Sequence, residues 1–88
     1  MRIRVRRTGG FAGIERQAEV DTSTRPDAGE WHALAEQAVA GGHSRPPAGV
    51  PDGFSYEITV DGRTFYAADP QLTEEQRTLI SRVLKEGA

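Results

Sequence analysis

Two residues, Asp61 and Gly62, restrict this chain more than any others. Before them Phe54, Tyr56, Ile58 and Val60 alternate with Ser55, Glu57 and Thr59, and after them Arg63 to Ala67 forms a second short run. An Asp-Gly pair between two such runs favours a tight turn with positive φ at both central positions, so the runs must fold back on each other as an antiparallel hairpin. A two-residue turn also sets the register. Ile58 is expected opposite Phe65 on the core side and Glu57 opposite Tyr66 on the other.

The N-terminal region alternates as strictly. Met1, Ile3 and Val5 share one face and Arg2, Arg4 and Arg6 the other, the period of a half-buried strand. Glu15, Gln17, Glu19 and Asp21 then alternate with Ile14, Arg16, Ala18 and Val20. An antiparallel register that opposes Arg6 to Glu15 also opposes Arg2 to Glu19, giving the arginines acidic neighbours. The intervening Thr8 to Gly13 is too long for a tight turn and too rich in glycine for strand, and reads as an extended hairpin tip.

Two helices complete the pattern. Pro26 and Asp27, with Glu30 in capping-box spacing, suit a helix start. Trp31, Leu34, Ala35, Ala38 and Val39 then share one face, and Gly41-Gly42 ends the segment. The stretch from there to Gly53 contains Pro46, Pro47 and Pro51, has no period and reads as loop. After Asp69-Pro70, Thr73 and Gln76 form a second capping box, followed by the apolar stripe Leu79, Ile80, Val83 and Leu84. The order ββαββα implies an α+β fold in which two helices pack on one face of an antiparallel four-stranded sheet.

A chain of 88 residues has room for one hydrophobic core, so we expect a single domain over residues 1–88. It contains no cysteine, which removes disulfide staples and thiolate chemistry. Met1 to Arg7 lacks the apolar run of a signal peptide, and no stretch approaches the roughly 20 apolar residues of a membrane span, which leads to the expectation of a cytoplasmic protein without membrane partners.

Chemistry is hard to place on this chain. His32 and His43 are far apart and match no metal-binding spacing, so neither a metal nor another cofactor is expected. The carboxylates fall on strand faces opposite the apolar residues, the pattern of a solvated, salt-paired surface. No serine lies in a nucleophile motif, and no catalytic residue is assigned. Gly9 to Gly13 lacks phosphate-loop spacing and leads into a strand. The arginines of the first strand, with Arg7, admit nucleic-acid binding as an alternative. Tyr66 is the sole evident sheet-face aromatic, however, and the net charge of −2 with acidic residues among the arginines is a poor match to a polyanion. Phe11, a large apolar side chain among glycines, suits either a cap on the core or a binding anchor.

The stretch Ile3 to Ile14, with its Gly9-Gly10-Phe11-Ala12-Gly13, followed by Asp21-Thr22 and by Phe54 to Gly62, resembles the emfourin family over essentially the whole chain. The resemblance implies a small intracellular bacterial inhibitor of thermolysin-like, and specifically protealysin-like, zinc metallopeptidases. It implies a binding protein and not an enzyme. A ββαββα path supports such a role independently. If each helix returns a strand's length, the tip Gly9–Gly13, the loop Gly41–Gly53 and Ala68-Asp69-Pro70 share one end of the molecule. We therefore take Gly9, Gly10, Phe11, Ala12 and Gly13 as the candidate partner-binding residues. A non-inhibitory protein-binding domain is the main alternative.

Overall fold

A computed structural model describes residues 1–9, 15–45, 54–68 and 71–87. The elements run β1 (Arg2–Gly9), β2 (Arg16–Asp21), α1 (Ala28–Ala40), β3 (Phe54–Val60), β4 (Arg63–Ala68) and α2 (Glu74–Glu86), the expected ββαββα order. The strands form one antiparallel sheet in the order β2-β1-β3-β4. Ile3 and Val5 of β1, Ala18 and Val20 of β2, Tyr56, Ile58 and Val60 of β3 and Phe65 of β4 face the helices. There they form a core with Trp31, Ala35 and Ala38 of α1 and Leu79, Ile80 and Val83 of α2. The opposite face of the sheet carries Arg2, Arg4, Arg6, Glu19, Asp21 and Glu57.

The β3–β4 hairpin has the expected register, with Ile58 opposite Phe65 and Glu57 opposite Tyr66. Asp61 and Gly62 have φ of 49° and 83°, the two positive values that a turn of this hand requires. The β1–β2 pairing differs from expectation by two residues: Arg6 lies opposite Gln17 and Arg2 opposite Asp21. A shift of two keeps every side chain on its face, so the core is unaffected. The anticipated charge pairs survive as diagonals, Arg6 to Glu15 at 2.9 Å and Arg2 to Glu19 at 3.0 Å. β1 also extends through Thr8 and Gly9, which were expected in the tip, because β3 offers Ser55 and Phe54 as ladder partners.

The two helix starts part company. Thr73 and Gln76 make the full reciprocal box. Asp27 is the N-cap of α1 but makes no side-chain cap bond. Its carboxylate instead accepts from Arg82 Nη2 at 3.0 Å, tying the start of α1 to α2. Gln76, buried at 1% exposure, adds a second tie by donating from Nε2 to the Ala38 carbonyl oxygen at 3.1 Å. α1 leaves the β2 side beside Arg82 and ends with Gly42 against Phe65 of β4, so it crosses the sheet instead of running along a strand. A Cβ at Gly42 would lie 2.2 Å from Phe65 Cδ2, so the close approach of this junction depends on glycine. His43 then pairs with the outer edge of β4: its N–H donates to the Tyr66 carbonyl at 2.9 Å, and the Tyr66 N–H donates to the His43 carbonyl at 2.8 Å.

Candidate protein-binding site

The end of the sheet away from the Asp61-Gly62 turn gathers the boundaries of all three connecting segments singled out in the sequence. Gly9 closes β1 directly opposite Phe54, the first residue of β3. Ser55 is opposite Ala68, the last residue of β4, while Arg7 is opposite Arg16, the first residue of β2. Antiparallel pairing alone produces this convergence, since alternate strands begin where their neighbours end. Over its described part the chain leaving α1 takes another course than expected, because His43 pairs with Tyr66 at the edge of β4.

Of the five candidate binding residues, Gly9 is described: it is exposed, with φ of 90°, a left-handed value that glycine adopts without strain. Gly10, Phe11, Ala12 and Gly13 lie outside the described residues, as does the question of whether Phe11 caps the core. So do Pro46 to Gly53 and Asp69-Pro70.

Around Gly9 the two faces of β1 differ. On the open face Arg6 donates from Nε and Nη2 to both carboxylate oxygens of Glu15, each at 2.9 Å, and approaches Glu57 at 3.9 Å. The Glu15 hydrogen bond and charge hold the Arg6 guanidinium more firmly protonated, and the same bond holds the Glu15 carboxyl below the usual carboxylate range. On the helix face lies Arg7, whose guanidinium carbon is 4.4 Å from the centre of the Phe54 ring. Gly9, opposite Phe54 and lacking a side chain, leaves the ring open to this diagonal approach. Arg7 was grouped with the basic residues of the open face in the nucleic-acid reading; strand parity puts it on the other side, with Ile3 and Val5. Arg16, its neighbour across the ladder, donates from Nη2 to the Leu84 carbonyl oxygen in the last turn of α2 at 2.9 Å.

Elsewhere the surface offers little chemistry. A groove of about 400 Å³ lies at the hairpin end between α1 and the β3–β4 turn, lined by Met1, Val39, Val60 and Arg63 among others. A small cavity of about 50 Å³ lies between His43, Ala68 and Gln76. Among the described residues no three His, Asp or Glu side chains gather as a metal-holding group, and no helix is long and apolar enough to cross a membrane. The sequence signals missed were both periodic: Gln76 stands on the buried stripe of α2, three residues before Leu79, and Arg7 on the buried parity of β1.

Comparison with known proteins returns one family. The model described as Emfourin matches residues 5–84, nearly the whole chain. No curated protein and no solved structure matches.

Proposed function

The chain belongs to the emfourin family, and from that membership we propose that it inhibits a thermolysin-like, protealysin-like zinc metallopeptidase by binding at its active-site cleft and obstructing it. Gly9, Gly10, Phe11, Ala12 and Gly13 form the contact element in this proposal, and the setting is the bacterial cytoplasm. Beside family membership, one observation carries it: Gly9, Phe54 and Ala68 stand side by side at one end of the sheet, so three connecting segments are anchored within reach of one partner. Loops held by a rigid sheet are the usual place for recognition. The molecule has an accessible surface of 5582 Å², and a standard interface takes about 800 Å² of each partner. One end is enough.

Obstruction requires complementarity and slow release and no catalytic group of its own. The test is incubation of the full chain with purified thermolysin-like peptidases, following residual activity over time. Progressive loss of activity is expected. If every such peptidase stays fully active at micromolar protein and long incubation, the chain is a protein-binding domain without inhibitory action.

A further inference from the structure

We propose that Arg7 is a preformed receptor for a carboxylate side chain of the partner protein. The proposal rests on the reading that this end of the molecule meets a protein. Arg7 is half-buried, and among the described residues its Nε, shielded from solvent, has no hydrogen-bond acceptor. Among the described residues its guanidinium meets no carboxylate, whereas Arg2, Arg6, Arg25 and Arg82 each do. Among the described residues its side chain meets the face of Phe54 at 4.4 Å. Its ladder neighbours are Tyr56 and Arg16, the latter a second positive charge, which directs Nη2 to the carbonyl of Leu84.

A guanidinium taken partly out of water without an acceptor is destabilising in the free protein. The same group is primed for an anion. The contact with Phe54 holds the guanidinium over the ring, and Nη1 and Nη2, which unlike Nε are not shielded, form a fork that matches a carboxylate in two parallel hydrogen bonds. A nucleic-acid backbone suits the site poorly. It would need a continuous positive track, whereas Arg2 and Arg6 on the opposite face of the sheet are already neutralised by Glu15, Glu19 and Asp21. A single carboxylate needs one fork.

The experiment has two arms. In the first, the guanidinium resonances of the free full-length chain are followed by NMR during titration with acetate. A saturable shift at Arg7, absent at Arg4 and Arg63, is expected; no selective response overturns the proposal, whatever the chain inhibits. A selective response at 150 mM salt to a short DNA duplex but not to acetate overturns it in favour of a phosphate site. In the second arm, inhibition of a thermolysin-like peptidase and melting temperature are measured for Arg7→Met, which keeps the stem over Phe54 without the charge, and for Arg7→Lys. For Arg7→Met, inhibition should weaken on the order of tenfold to a hundredfold, while the melting temperature holds or rises. Arg7→Lys, with charge but no fork, should recover only part of the loss. A lowered melting temperature with unaltered inhibition would make Arg7 a structural prop. A wild-type chain that inhibits nothing would sink the inhibitory reading alone, because the acetate arm still decides Arg7.

Discussion

The two ends of the sheet are finished in opposite ways. At the hairpin end the termini of β1, β2 and β3 are tied: the Asp61 N–H donates to the Arg2 carbonyl at 3.0 Å, and the Arg2 N–H donates to the Asp61 carboxylate at 2.9 Å. The Thr22 N–H and hydroxyl both donate to the Met1 carbonyl, at 2.9 and 3.2 Å. At the Gly9 end an exposed glycine closes β1, Phe54 is half-buried, and among the described residues Arg7 has a buried donor without an acceptor. Satisfied groups stabilise the free fold, and unsatisfied ones leave interactions for a partner to complete. On the proposed function, the difference separates stability from recognition along one sheet.

The strongest way to break that separation is to damage the middle. Ile58 is fully buried between Val5 and Phe65, and Ile58→Ala should cost roughly 2 to 5 kcal/mol of folding stability. Melting temperature and inhibition measured together should show a large loss in the first and none in the second for the fraction that remains folded. Weakened inhibition by fully folded protein would mean that the two ends are coupled.

Phe11→Ala is the reciprocal test on the other end. On the proposed reading it weakens inhibition by about thirtyfold, the equivalent of about 2 kcal/mol, with little change in melting temperature. A large fall in melting temperature with near-normal inhibition would make Phe11 a cap on the core and move the contact element elsewhere.

A smaller effect, confined to stability, belongs to the hairpin turn. Nothing lies within 4 Å of a Cβ built on Gly62, so Gly62→Ala meets no neighbour, and its cost comes from φ of +83° alone. That cost is about 1 kcal/mol. Calorimetry should register it while inhibition stays unchanged. A shift in the inhibition constant would show that the turn end also meets the partner.

Legibility followed the same divide. The Asp61-Gly62 turn links its strands through two residues, so turn geometry fixed both conformation and register, and Ile58 and Phe65 met as read. The β1–β2 connection is long and glycine-rich, and sets no register by itself. Core burial fixed only the parity of Ile3, Val5, Ala18 and Val20, which is why the error was two residues and the salt pairs reappeared on the diagonal. Asp27 carried the same capping signal as Thr73, but a guanidinium 55 residues away took its carboxylate. Local spacing contains nothing about Arg82. The crossing of α1 over the sheet was hidden for the same reason, being set by Gly42 against Phe65 and Asp27 against Arg82. The proposed binding role came from the family resemblance, whereas the lack of a carboxylate partner for Arg7 among the described residues depends on every neighbouring element and needed the structure.

The smallest expected effect compares the two ends by titration. Asp21 near the hairpin end is held below the usual carboxylate range chiefly by the Ser23 N–H, which donates to its Oδ1 at 3.0 Å. Glu15 near the Gly9 end is held down chiefly by the hydrogen bond from Arg6. In both cases the folded chain binds its proton less readily than the unfolded chain, so stability rises with pH through the acid range. The contribution is complete above the ordinary carboxylate values near about 4 and disappears as pH falls through the lower folded values. Both groups are exposed, so the effect is modest. Melting curves between about pH 6 and pH 3 should show a shallower acid decline in Glu15→Gln and in Asp21→Asn than in the wild type. Added salt should erase most of the Glu15 share, since an ion pair in water is screened. The Asp21 share should persist, because its main partner is a backbone N–H two residues away. Equal salt sensitivity at the two positions would show that both carboxylates respond to the arginine stripe as a whole.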